Sequence, residues 1–187
     1  YYETPHVDQL AREGMKFMDA YACAPNCAPS RACLMSGLYG PRHGVYTVGN
    51  SDRGQAKYRK LIPIKNTTDL AGRFVTLAET LKSAGYVTAT MGKWHLGDEI
   101  IPQHGFDHWV SMEDHYRLFF TKREYLSRFS DYHHFLMKKG YTPDIELAGA
   151  KIFSREMTAN LPEELSKNTF LAQAATRFIR ENNNHPF

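Results

Sequence analysis

Apolar positions recur at helical spacing near both ends of the chain and gather into short strand-like runs between them. Thr4-Pro5 supplies an N-cap and a first helical residue, Val7, Leu10 and Ala11 share one face, and Gly14 stops the helix. Residues 15–22 read as a strand leading into a cysteine-bearing loop. Pro29 suits the first turn of a second helix, with Gly37 as its C-terminal stop. Residues 38–66, with Gly, Pro and many polar side chains, read as loop. Thr76-Leu77-Ala78-Glu79 is a capping box that opens a helix running to Ala84 and closed by Gly85. Residues 86–91 then form a short strand, and Gly92-Lys93-Trp94-His95 lies in the loop after it.

The stretch 111–165 is rich in Tyr, Phe and His, with helices expected over 122–129 and 131–139, the second stopped by Gly140. The clearest helix is the last, where Phe170, Leu171, Ala174, Ala175, Phe178 and Ile179 form one apolar face suited to packing on a sheet. Alternating helices and strands predict an α/β fold. Ligands of open α/β sheets sit in the loops at the carboxyl ends of strands. That directs attention to the loop after residue 91.

Bulk properties narrow the function classes only slightly. At 187 residues and 42% hydrophobic, the chain can bury a real core and is not disordered. A net charge of +3 does not argue for nucleic acid. No run of about 18 apolar residues occurs, so no transmembrane helix is expected. The ends read as cut: the chain starts at a helix without methionine and stops at His185-Pro186-Phe187, where a new strand would begin. A longer protein truncated at both ends is the expectation. The lack of a leader at Tyr1-Tyr2-Glu3 therefore carries no information about compartment.

Cys23, Cys27 and Cys33 are odd in number and crowded together, unlike a disulfide framework, and their spacing misses that of zinc sites. Cys27 is the distinctive one. In Cys27-Ala28-Pro29-Ser30-Arg31 it stands at a helix N-terminus, where the helix dipole and free N–H groups both favour negative charge. Arg31, one turn on, can offer a bidentate fork to an oxyanion. The local physics is that of an anion site with a reactive group; for an isolated cysteine, inert burial would be the better reading. Core packing is expected for Cys33.

A second cluster runs Gly92-Lys93-Trp94-His95-Leu96-Gly97. An extended backbone would point Lys93 and His95 to the same side. Lysine can clamp an oxyanion as charge develops, and histidine can hold or deprotonate a hydroxyl near neutral pH. Trp94 reads as packing. His43, in Tyr39-Gly40-Pro41-Arg42-His43-Gly44, is balanced between lining the pocket as a substrate contact and a structural role.

Together, and in this order, the two motifs resemble those of the sulfatases whose nucleophile is a formylglycine made from cysteine. The likeness extends to residues 4–21, to Ile101-Pro102-Gln103-His104-Gly105-Phe106-Asp107 and to the last helix, and is weakest over 111–165. It implies an alkaline-phosphatase-like α/β fold, a central and mostly parallel sheet flanked by helices, incomplete in this chain. Residues 1–187 would be the N-terminal part of the catalytic domain, with 111–165 a variable, helical insert.

The resemblance also implies the chemistry. A maturation enzyme would oxidise Cys27 to formylglycine, and its hydrated aldehyde would attack sulfur and form a sulfated enzyme intermediate. Arg31 would hold the formylglycine hydroxyls, Lys93 would contact the sulfate, and His95 would hydrogen-bond the formylglycine. The substrate would be a sulfated small molecule or carbohydrate. One divalent metal is implied, usually calcium with magnesium as the alternative, bound by the formylglycine at residue 27 and by ligands outside this chain. Asp8, Asp19, Asp52, Asp98 and Asp107 are scattered, and none is assigned to it. Periplasmic, extracellular and lysosomal settings are all compatible with the resemblance. Two other readings stay open: a phosphonate or phosphate monoester hydrolase of the same superfamily, and a non-catalytic fragment.

Overall fold

Pro5 opens α1, Pro5–Glu13, and Gly14 closes it by donating its N–H to the Leu10 carbonyl. The computed structural model describes residues 2–52, 54–115, 125, 127–143, 145–147, 150–153 and 161–187. No residue of α1 is buried, and the apolar face carrying Val7 and Leu10 is exposed. Residues 15–22 are not the expected strand: they pair with nothing, and Met15, Phe17, Met18 and Tyr21 stand exposed. An apolar run becomes a strand only when a neighbour accepts its backbone hydrogen bonds, and no described segment does so.

The next helix, α2, is Cys27–Ser36. Asn26 is its N-cap, its side-chain oxygen accepting the Cys27 N–H at 3.1 Å. Cys27 is thus the first residue of the helix, at its N-terminus as the sequence indicated. Gly37 ends α2 in the left-handed region, as the sequence indicated. Between α2 and residue 77, a short α3, Gly40–His43, and a single 3₁₀ turn, Ala56–Tyr58, are the only regular structure among the described residues. The capping box forms in full at α4, Leu77–Ser83: the Glu79 side chain accepts the Thr76 N–H at 2.7 Å, and the Thr76 hydroxyl accepts the Glu79 N–H at 3.3 Å.

Only Ala89–Met91 of the expected 86–91 strand is regular; this is β1. It pairs in parallel with β2, His108–Val110, with Thr90 opposite Trp109. Gly92 extends the ladder by donating to the Val110 carbonyl at 2.8 Å. The loop 92–107 therefore leaves the carboxyl end of one strand and returns to the start of its neighbour. Farther on, α5 is Asp131–Lys138, capped by Ser130. The pair β3, Ile145–Leu147, and β4, Ala150–Ile152, is antiparallel. The helix expected over 122–129 falls largely outside the described residues. The last helix, α6, is Lys167–Asn182, capped by Ser166. Its Ala174 and Phe178 are buried, and the Phe178 ring meets that of His108 at 5.1 Å, so the apolar face does pack over the parallel pair.

One apolar cluster positions the site. Ala28 and Ala32 of α2 share it with Val45, Leu70, Trp94 and Leu96, and Phe106 and Trp109 pack against it. Trp94 stands edge-on to both Phe106 and Trp109, at 5.8 and 5.7 Å. The buried side of α2 and the loop 92–97 are thus two walls of a single core. That brings the cysteine motif and the Lys-Trp-His motif together.

Candidate active site

Cys27 Sγ lies 3.3 Å from His95 Nδ1, across 68 positions of sequence. The thiol is half-buried at the N-terminus of α2, while His95 is 1% exposed. Burial, followed by the positive charges of Lys93 and Arg31, holds the His95 pKa down at about 4. The ring is therefore neutral at neutral pH and can accept a proton from a group at residue 27. Lys93, two residues earlier, is half-buried.

Arg31 donates from Nη1 to the Lys93 carbonyl at 2.7 Å. One arm of its fork thus ties α2 to the second motif, and its charge reaches His95. The sequence reading had Arg31 reaching only toward residue 27. The backbone of the second motif also differs from expectation, because it is not extended. His95 has φ 63° and Gly92 φ 106°, so the chain turns tightly between them. His95 comes to Cys27, and the Lys93 carbonyl to Arg31, through this turn rather than by strand alternation.

A residue the sequence reading missed holds the turn. Glu99 is 0% exposed, and its carboxylate accepts the Trp94 N–H at 2.8 Å and the His95 N–H at 2.7 Å. Its own carbonyl accepts the Trp109 indole N–H at 2.9 Å, which fastens it to β2. Burial raises the Glu99 pKa to about 7 against the two N–H donors; Glu113 adds to the rise and Lys93 opposes it. No spacing rule joins a glutamate to N–H groups four and five residues earlier in a loop, so the sequence carried no signal for it.

His43 is buried at 3% exposure. Nδ1 accepts the Val45 N–H at 3.0 Å, which leaves the neutral ring's proton on Nε2, 3.4 Å from Cys33 Sγ. The contacts of His43 are thus structural, and it is not joined to Cys27, Arg31, Lys93 and His95. Cys33 is buried as expected, and Cys23 is exposed.

Among the described residues, no group of three or more His, Cys, Asp or Glu side chains could hold a metal ion. Four of the five scattered aspartates have other partners. Asp107 pairs with Lys82 and with the Thr88 N–H and hydroxyl, Asp98 accepts the Ile100 and Ile101 N–H groups, Asp52 pairs with Arg59, and Asp8 accepts the Thr4 hydroxyl. These residues by themselves do not fit a resident cation.

The sulfatase family profile matches residues 1–187. The chain belongs to the sulfatase family. Human N-acetylgalactosamine-6-sulfatase is 40% identical to this sulfatase chain over 113 residues, which is 57% of the chain and 20% of the relative. A sulfatase of Formosa agariphila is 40% identical over 118 residues, 60% of the chain and 21% of the relative. Mouse steryl-sulfatase is 43% identical over 94 residues, 50% of the chain and 14% of the relative. The sulfatase chain thus spans about a fifth or less of the length of these relatives. Among solved structures, Ps i-CgsB aligns over 98% of the chain and 38% of its own, with a TM-score of 0.54 at 26% identity. A second crystal structure of Ps i-CgsB holds k-i-k-neocarrahexaose and aligns over 98% of the chain and 38% of its own, with a TM-score of 0.53 at 25% identity. Together with the parallel pair and its flanking helices, this makes the fold that of an incomplete α/β sulfatase domain.

Proposed function

We propose that the protein carrying this chain hydrolyses sulfate esters through a formylglycine made from Cys27. The observation that carries the reading is the convergence of Cys27 and His95 at 3.3 Å, with Arg31 bonded to the Lys93 carbonyl beside them. Cys27 Sγ marks the place that an oxygen of the hydrated aldehyde would take. That group supplies a nucleophilic hydroxyl for attack at sulfur and a second hydroxyl whose deprotonation expels sulfate.

Three residues of the chain act around that group and the sulfate. His95, neutral because its pKa is held at about 4, accepts a proton from a hydroxyl at residue 27 through Nδ1. Lys93 offers its ammonium to the sulfate oxygens, and the positive end of α2 adds to that field. Arg31 keeps the two motifs in register and contributes charge. The substrate belongs to the sulfated small molecules or carbohydrates, and a maturation enzyme acts on Cys27 beforehand. The proposal includes one divalent cation, calcium or magnesium. Beyond an oxygen at residue 27, the described residues do not supply its ligands.

The test is to express the intact protein in a host with the maturation enzyme, to take the mass of the peptide holding Cys27, and to assay paired aryl sulfate and aryl phosphonate esters. An aldehyde at residue 27 with preferential sulfate turnover is expected. Preference for the phosphonate moves the assignment to the other esterases of the superfamily, and an unmodified thiol without turnover leaves a non-catalytic protein.

A further inference from the structure

We infer that Glu99 is a positioning residue of this site: its buried carboxylate clamps the consecutive N–H groups of Trp94 and His95, and so fixes the turn that aims His95 at residue 27 and presents the Lys93 carbonyl to Arg31. The inference rests on the sulfate-ester reading for its kinetic consequence, but not for its geometry.

The turn needs such a clamp. His95 sits in the left-handed region at φ 63°, which a residue with a Cβ occupies only when its surroundings compel it. Trp94, His95, Leu96 and Gly97 are all buried, so water is not at hand for their N–H groups. Two successive N–H groups pointing the same way form an anion-binding concavity. Here the anion is internal, with one carboxylate oxygen on each N–H, at 2.8 and 2.7 Å.

Only glutamate fills this role without loss. Glutamine has one acceptor oxygen and would turn its NH₂ toward the second N–H donor. Aspartate keeps the charge but is one methylene shorter. The anchor is itself held, because the Trp109 indole binds the Glu99 carbonyl from β2 at 2.9 Å. A continuous set of contacts thus runs from the parallel pair through Glu99 to His95 and on to Cys27.

The electrostatic surroundings fit a role beyond filling space. Lys93 and Glu113 face the carboxylate with opposite charge, and His95 adjoins it. With a pKa near 7, Glu99 changes charge close to neutrality. Once protonated, it carries a hydroxyl in place of one acceptor, and the two-point clamp becomes a one-point contact. The aim of His95 would then relax as pH falls below about 7, which would give the turnover profile an acid limb belonging to Glu99.

The experiment compares the intact wild-type protein with Glu99→Gln and Glu99→Asp. It uses p-nitrophenyl sulfate kinetics across pH, together with the ¹⁵N resonances of the His95 ring. Glu99→Gln is expected to lose on the order of 10- to 100-fold in kcat, the scale of a small misplacement of reacting groups, with little change in KM. Its acid limb should disappear, and the His95 Nδ1 signal should shift. A folded Glu99→Gln protein with wild-type kcat, an unmoved acid limb and unmoved His95 signals overturns the inference. Where Glu99→Gln does not fold, Glu99→Asp decides: it should keep the acid limb and lose kcat, and full kcat with unmoved ring signals overturns the inference. If the wild-type protein turns over no sulfate ester, the proposed function fails, and the ring signals of the variants still decide the role of Glu99.

Discussion

Cys27 and His95 meet at 3.3 Å although each belongs to a different wall of the core. Cys27 is fixed by the helix that Asn26 caps, and His95 by a tight turn beyond β1. Neither is flexible in the way a surface side chain is: Ala28 and Ala32 bury one side of α2, and Trp94 and Leu96 flank the histidine inside the same cluster. The pair is therefore preorganised by packing, as the proton transfer proposed at residue 27 requires.

Replacing Cys27 by Ala should abolish sulfate ester turnover in the intact protein, because no other side chain can become a geminal diol. The fold should survive. The side chain lies at the first position of α2 and is only half-buried, and the Asn26 cap bonds to the backbone N–H rather than to the thiol alone. Near-normal turnover by Cys27→Ala would refute the nucleophile assignment. The check is a steady-state assay alongside a melting curve.

Lys93→Ala should keep the fold and lose on the order of 10²–10³ in kcat, as on deletion of one oxyanion donor. The Arg31 bond survives the change because it ends on the Lys93 carbonyl, not on its side chain. Removing the ammonium also removes a charge that depresses the His95 pKa, so that pKa should rise from about 4. Unchanged kinetics would refute the clamp while leaving the nucleophile standing.

What could be read from the sequence were features that short stretches encode by themselves. Pro29 with Gly37, Thr76 with Glu79, and the spacing from Phe170 to Ile179 carry their own start, stop or face, and each formed where it was expected. Residues 15–22 failed because a strand is a property of two segments, and the sequence of one cannot supply the other. The sequence singled out Cys27, Arg31, Lys93 and His95 by residue type and motif. It did not show how they meet. The positive φ of His95, the Arg31 bond to a backbone carbonyl and the Glu99 clamp all come from tertiary contacts. His43 shows the same limit: a loop histidine reads alike whether it faces a substrate or, as here, Val45 and Cys33.

Gly105→Ala should be costly, and Gly37→Ala much less so. At Gly105, φ is +83°, and an added Cβ would lie 2.6 Å from Glu79 Cγ and 2.9 Å from the Glu79 backbone N and Cα. Strain and overpacking act together there and should remove about 2–5 kcal/mol. The damage falls where the Thr76 hydroxyl binds the His104 carbonyl at 3.0 Å, at the start of α4. At Gly37, φ is +67° but nothing lies within 4 Å of an added Cβ, so only the backbone term of about 1–2 kcal/mol remains. Urea denaturation of both variants would measure the difference, and equal losses would contradict the close approach at Gly105.

Glu99 should cost stability as pH rises, in contrast to its service to the site. Its pKa is about 7 in the fold against an ordinary 4.5, chiefly because burial opposes its charge. Below pH 4.5 it is protonated in both the folded and the unfolded chain and contributes nothing. Between 4.5 and 7 the unfolded chain releases a proton that the folded chain keeps, so stability falls as pH rises through that window. Above 7 the full difference, about 3 kcal/mol, stands against the fold. Glu99→Gln cannot titrate, so it escapes this loss while bearing a pH-independent one of about 1–3 kcal/mol for the N–H group facing its amide. Relative to wild type, the variant should therefore gain about 3 kcal/mol between pH 4.5 and 7. Contributions from His95 and other groups common to both proteins largely cancel in that comparison. Denaturation midpoints of the two proteins at several pH values would show it. A difference that stays flat across the window would mean that the carboxylate is ionised throughout, held so by the Trp94 and His95 N–H groups and by Lys93.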